Sequence, residues 1–441
     1  MESEWDPLDE PLSPPRFSSV FERDRHVAYM EMMYQLLPSP YETQEVNRLT
    51  LAYFVISGLH LLSVLDRVPL SLSLSSRLLG SDVGYASLVV DLFTSWRAQG
   101  GRFQLDAVDK EAVASWVLSL QAHPTNRAEL NDGKFYGFHG SRTSQFPPDN
   151  NGVLGHNNSH LASTYCALAI LKIVGYDFST IDSKTILTSM RNLQQPDGSF
   201  MPIRTGAETD LRFVYCAAAI CFMLEDWRGM DKEKAKEYII NCQSYDGGFG
   251  LIPGSESHGE SKQILGGDST DYSQAGLLLM IFTNSFYFSA TGGATYCAVA
   301  SLRLMGVIGD DILSTSVAPS IIDVPLLLDW ILQRQATDGG FQGRPNKDSD
   351  TCYAFWIGAV LHMLGCYKLI DEKALRRFLL TCQSEYGGFS KFSGSVFPGQ
   401  VPDLYHSYYG LTAFSLLGES GMNPLCFELG IADLAATGLL I

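Results

Sequence analysis

Residues 242–250 read CQSYDGGFG, and close variants return as QQPDGSF at 194–200, RQATDGGFQG at 334–343 and CQSEYGGFS at 382–390. NDGKFYGF, at 131–138, is a weaker copy. A turn that recurs along a chain marks a repeat architecture, in which each unit buries its apolar face against its neighbours. Each copy ends an amphipathic segment such as DKEKAKEYIINCQ or EKALRRFLLTCQ, and its Gly reads as a helix stop. One loop later a segment apolar on nearly every side begins: HLASTYCALAIL, LRFVYCAAAICFML, GATYCAVASLRLM, DTCYAFWIGAVLHML and LYHSYYGLTAFSLL, with NRLTLAYFVISGLHLL as a sixth. A helix apolar all round is buried on most faces, whereas its amphipathic partner keeps a charged face for solvent. Alternating the two kinds predicts an all-α fold, an α/α toroid of six hairpins with inner apolar and outer amphipathic helices.

The domain reading follows from the same pattern. Residues 1–20 are expected to be a disordered, acidic, Pro-rich tail and 21–441 one toroid domain. Two stretches sit badly in the repeat, 69–107 and 260–291. The second splits SHG at 257–259 from GGATYC at 292–297, which would otherwise be continuous. Both are expected to be insertions, either real surface loops or products of an unspliced intron or gene-model error.

Composition narrows the function. The 441 residues are 46% hydrophobic and carry a formal net charge of -17. That charge argues against a surface built for nucleic-acid phosphates or anionic lipid, both of which select for Lys and Arg. Nine cysteines, an odd number scattered through helical segments, do not read as a disulfide framework, and a reducing, cytoplasmic setting is expected. MESEWDPLDEPLSPP lacks the basic and apolar regions of a signal peptide. AGLLLMIFTNSFYFSA at 275–290 falls short of the roughly 20 apolar residues of a membrane span. The terminal LLI contains no Cys of the kind that is itself prenylated.

Chemistry concentrates in GRPNKDSDTCYAFW, residues 343–356. Arg344 and Lys347 fall in a loop; Asp350 and Cys352 stand at the entrance of an apolar helix. His406 enters the next apolar helix at the matching place, in PDLYHSYY. One Asp, one Cys and one His make three ligands with a fourth position open, the arrangement of a catalytic zinc site. On the residues alone the plainer alternatives stand beside it: Asp350 as a helix cap, Cys352 as a small buried hydrophobe, His406 as a hydrogen-bonded core residue.

The DGGF turns, the GRPNKDSDTCYAFW block and the PDLYH block together resemble the β subunits of protein prenyltransferases, most closely the geranylgeranyl type I branch. The resemblance covers nearly the whole chain outside the tail and the two insertions. It implies one Zn2+ held by Asp350, Cys352 and His406, with the thiol of a substrate in the fourth position. It also implies a diphosphate site at His258, Arg344, Lys347 and Tyr353, and an obligate α subunit. The reaction it implies is transfer of geranylgeranyl from its diphosphate to the Cys of C-terminal CaaX motifs, as on small GTPases.

Within the family, farnesyl enzymes carry Trp where this chain has Thr50, which leaves room for a longer isoprenoid; Phe54 also resembles the geranylgeranyl type. Each buried methylene contributes about 0.8 kcal/mol, so pocket depth can select the donor. Lys391 stands where farnesyl enzymes carry an Asp beside magnesium, so magnesium is not expected to be required. Tyr405 and Tyr409, expected in the peptide pocket, look more like the farnesyl enzyme. The competing readings are a farnesyltransferase β subunit, more distantly a Rab-type geranylgeranyl enzyme, which lacks RPNK in this loop, an inactive scaffold disabled by the insertions, and a terpene cyclase. The last is disfavoured because DSDT at 348–351 lacks the acidic D-x-D-D of protonating cyclases.

Overall fold

The computed structural model describes residues 18–35, 41, 44, 46–65, 108–126, 129, 133–142, 159–204, 208–255, 291–309, 312–313, 321–394, 396 and 400–439. His258, the stretch 69–107 and residues 260–290 lie outside them, as do residues 1–17. Residues 18–20, assigned to the tail from sequence, are described and bonded to the body of the protein. Thr291, at the far edge of the second expected insertion, caps a helix by accepting from the Ala294 N–H at 3.3 Å.

The helices alternate as the sequence pattern predicts. Outer helices are α1 (Arg23–Gln35), α3 (Lys110–Leu118), α5 (Ser183–Met190), α7 (Lys232–Asn241), α9 (Val324–Leu332) and α11 (Glu372–Cys382). Inner helices are α2 (Arg48–Leu61), α4 (Leu161–Ile173), α6 (Leu211–Met223), α8 (Gly292–Leu304), α10 (Tyr353–Met363) and α12 (Leu404–Leu416). Asp starts the outer helices from α3 onward: Asp109, Asp182, Asp231, Asp323 and Asp371 each accept a backbone N–H of the first turn. The inner helices pack in a closed cycle, α2 on α4, then α6, α8, α10 and α12, which returns to α2. A hairpin of β1 (Leu425–Cys426) and β2 (Ile431–Ala432), followed by α13 (Asp433–Ala436), completes the chain. Among the described residues, no helix is long and apolar enough to cross a membrane. All nine cysteines are free and buried.

The repeated turn does something other than stop a helix. Gln243 bridges to Phe249, and the Ser244 N–H donates to the Gly248 carbonyl at 2.8 Å, making a minimal hairpin after the helix has already ended. Gly247 has φ 102, and a Cβ there would lie 2.2 Å from the Leu326 carbonyl oxygen, so the turn sits directly on the backbone of the next outer helix. The invariant Gln is the clasp. Gln243 Oε1 accepts from the Asp323 N–H at 2.9 Å and its Nε2 donates to the Asp323 carbonyl at 3.1 Å. Gln194 holds Asp231 and Gln335 holds Asp371 in the same two-way manner.

Gln383, the last of the series, closes the ring. Its Oε1 accepts from the Glu22 N–H at 3.0 Å and its Nε2 donates to the Val20 carbonyl at 3.3 Å. Gly387 meets the Arg25 carbonyl as Gly247 meets Leu326. Helix α1 is therefore the outer helix that the last turn requires. In the weak copy at 131–138, the bridge runs from Gln121 to Phe138, so its two partners stand much farther apart in sequence than in the other copies.

Candidate functional site

Asp350, Cys352 and His406 meet at the entrances of α10 and α12, with one oxygen, one sulfur and one nitrogen all within 4.8 Å of one another. Asp350 Oδ1 accepts from the Cys352 N–H at 2.9 Å, but Cys352 holds the N-cap position of α10 and no side chain caps that helix, so the plain capping reading of Asp350 does not hold. His406 is oriented from behind. Asp403 Oδ1 accepts from the His406 backbone N–H at 2.8 Å, capping α12, and Asp403 Oδ2 takes the ring Nδ1 at 2.7 Å. That bond leaves Nε2 facing Asp350 Oδ1 at 3.3 Å. A carboxylate behind the imidazole fixes tautomer and ring angle in metal sites generally.

The charges are arranged for a cation. Burial opposes ionisation of Asp350, yet His406, Lys391 and the Cys352 N–H hold its carboxyl below the ordinary carboxylate range. Burial likewise opposes a charged His406, but Asp403 and Asp350 flank it and push its pKa well up. Burial and the Asp350 charge push the Cys352 thiol up to about 12. Three different donors this close together fit a divalent metal, which would reverse the thiol's preference by taking it as thiolate.

Every candidate residue named from sequence, His258 apart, lines one cavity of about 620 Å³. The buried metal-ligand triad forms part of its wall, where Lys391 Nζ stands 3.9 Å from Asp350 Oδ2. Arg344 and exposed Lys347 come from the loop before α10, in which Asn346 adopts φ 62. Gly343 anchors that loop: a Cβ there would lie 2.0 Å from Tyr353 Cζ, so only Gly lets the ring lie on the backbone. Thr50, Tyr53 and Phe54 share one face of α2, with Thr50 Oγ1 against Cys166 Sγ at 3.8 Å. Tyr405 and Tyr409 face them: Tyr405 is 6.0 Å from Phe54 between ring centres, and its hydroxyl accepts from Trp356 Nε1 at 3.2 Å.

The wall also holds residues that sequence reasoning passed over. Arg212 lines the cavity in an ion pair with Asp210 at 2.6 Å and Glu208 at 2.9 Å. Asp403 was visible only as the Asp three residues before His406. A ring of tyrosines, Tyr53, Tyr165, Tyr215, Tyr296 and Tyr408, has a detectable signal, because each stands at the same place in its apolar segment.

This toroid, with a metal-competent triad in the wall of an aromatic-lined cavity, defines a class. The family model described as "Prenyltransferase alpha-alpha toroid domain" matches residues 21–77, 73–263 and 282–431. "Geranylgeranyl transferase type-1 subunit beta" of Arabidopsis thaliana is 59% identical over 433 residues, covering 98% of this chain and 95% of that protein. The protein of the same name from Dictyostelium discoideum is 31% identical over 407 residues, covering 90% and 91%. The solved structure "Candida albicans protein geranylgeranyltransferase-I complexed with GGPP" shares the fold, with a TM-score of 0.67 over 96% of this chain and 100% of that one, at 19% identity. The chain belongs to the prenyltransferase toroid family, in the branch of the type-1 geranylgeranyl transferase β subunits, and is a subunit of a transferase.

Proposed function

We propose that the chain is the catalytic β subunit of a cytoplasmic, zinc-dependent heterodimer. It joins an α subunit and moves a geranylgeranyl group from its diphosphate to the Cys thiol of proteins ending in CaaX, small GTPases among them. The convergence of Asp350, Cys352 and His406 in the wall of the aromatic cavity carries this reading. Zinc held there supplies the charge that keeps an incoming cysteine as thiolate at neutral pH, against a free pKa of about 8.5. Asp403 keeps His406 Nε2 turned toward that position.

The bond change is a displacement. The substrate sulfur forms its bond to C1 of the allylic donor, the C1–O bond breaks, diphosphate departs with the electron pair, and the thiol proton passes to solvent. Charge grows on the leaving group, and Arg344, Lys347 and Tyr353 line the wall where donors placed in advance lower that barrier. His258 is assigned to the same group from the resemblance alone. Lys391, 3.9 Å from Asp350, supplies a fixed positive charge in the role magnesium has elsewhere in the family. Thr50 and Phe54 bound the isoprenoid and leave space for a 20-carbon chain, while Tyr405 and Tyr409 border the peptide's last residue.

The test is single-turnover transfer by the heterodimer to a CaaX peptide ending in Leu, in EDTA-washed buffer resupplied with zinc alone. The 20-carbon and 15-carbon donors are compared. Zinc-dependent transfer of the longer group without magnesium is expected. A 15-carbon preference with a magnesium requirement would replace the Thr50 and Lys391 roles by the farnesyl reading. Absence of both zinc binding and transfer would leave an inactive scaffold.

A further inference from the structure

At Gly430 the cavity meets the segment between β1 and β2, Phe427 to Gly430, and what holds that segment in place is polar. Tyr296 on α8 donates to the carbonyls of Phe427 at 3.0 Å and Glu428 at 3.1 Å. Tyr215 on α6 donates to the Glu428 carbonyl at 3.1 Å, and Tyr165 on α4 to that of Leu429 at 2.7 Å. Tyr53 on α2 donates to the Gly430 carbonyl at 3.0 Å, which Tyr408 on α12 also reaches. Five inner helices thus contribute a hydroxyl to one short stretch of backbone, and Gly430 itself forms part of the cavity wall. A hydrocarbon chain lying along these aromatic walls would meet this row of carbonyls and hydroxyls, which it cannot displace without leaving them unpaired.

One side chain of the segment ties it to the ring. The Glu428 carboxylate, only 3% exposed, meets Arg303 of α8, with Oε1 3.2 Å from Nη2 and 3.3 Å from Nε. Arg303 is itself 9% exposed. A buried ion pair joined by two hydrogen bonds fixes the place of the backbone that carries it, and breaking such a pair is costly. Neither residue lines the cavity.

We propose that Arg303 and Glu428 are positioning residues for donor length: by fixing the height of this floor they set where the far end of the isoprenoid must stop. Thr50 limits the chain from the side; the ion pair limits it from below. This inference rests on the isoprenoid-donor reading given above.

The experiment uses the zinc-loaded heterodimer and measures kcat/KM for diphosphates of 15-, 20- and 25-carbon isoprenoids in wild type, Glu428→Gln, Arg303→Lys and Tyr296→Phe. Glu428→Gln is expected to raise the 25-to-20-carbon ratio by about tenfold. Arg303→Lys, which keeps the charge pair, should stay near the wild-type ratio, and Tyr296→Phe should shift it the same way by less. Should Glu428→Gln fail to fold, as judged by thermal unfolding, the nearly isosteric Tyr296→Phe carries the test. A merely structural role would lower kcat/KM for all three donors in proportion. An unchanged ratio in the folded variants would overturn the inference while leaving the donor reading intact; no turnover of the 20-carbon donor by wild type would overturn both.

Discussion

Asp403 uses its two oxygens for two purposes, one to cap α12 and one to hold His406 Nδ1 at 2.7 Å. Asn in its place keeps an oxygen for the cap but turns an amide N–H toward the ring, which favours the tautomer with a proton on Nε2. Asp403→Asn is therefore expected to fold with an unchanged unfolding midpoint and to bind zinc roughly 10- to 100-fold more weakly, as read by chelator competition. Equal loss of stability and metal affinity would assign Asp403 to capping alone. At this scale the sequence was legible where residue types were unusual for their place: a Cys and an Asp two apart at a helix entrance, and a His at the matching entrance. Asp403 was not legible as an orienting residue, because an Asp just before a helix is nearly always a cap, and here it is that as well.

Helix α1 is secured through His26. The ring lies between Phe21 and Phe389, with centroids 4.9 and 4.5 Å away. Its Nδ1 accepts from the Gly388 N–H at 3.0 Å, so Nε2 carries the proton and donates to Gln383 Oε1 at 2.9 Å. Burial pulls its pKa down to about 4. His160, whose Nδ1 caps α4, is also held at about 4 by burial and by Arg212. The unfolded chain binds protons on these rings near pH 6.5 and the folded chain only near 4, so their contribution to stability is lost as pH drops through that window. His26 alone accounts for about 3 kcal/mol of the loss. Urea titrations from pH 7 to 4 should show a shallower slope in His26→Asn, whose Oδ1 can still accept from Gly388; an equal slope would mean the ring is not proton-free. The alternation of apolar and amphipathic helices was legible because burial dictates it. The role of the DGGF turn was not, since a Gly after an amphipathic run reads equally as a helix stop or as a tight hairpin, and only the neighbouring backbone decides.

The closed ring depends on a joint between residues far apart in sequence, Gln383 with Val20 and Glu22. Gln383→Ala removes bonds to both, as well as the partner of His26, and is expected to lower unfolding stability by about 2 kcal/mol, measured by urea denaturation. Zinc affinity per folded molecule should not change. A loss of zinc binding in the folded protein would mean that the joint also shapes the mouth of the cavity. Nothing in residues 18–26 repeats the patterns seen later, so ring closure could be inferred only from the count of helices. Linear repeat proteins lengthen by adding units and protect their ends with special caps. A ring whose final turn grips its own beginning has no end to extend, and one further hairpin would change the curvature everywhere at once. The bore is therefore a matter of integer arithmetic. Relatives built on this plan must vary their cargo through what coats the wall and where the floor is set, while the number of staves stays fixed.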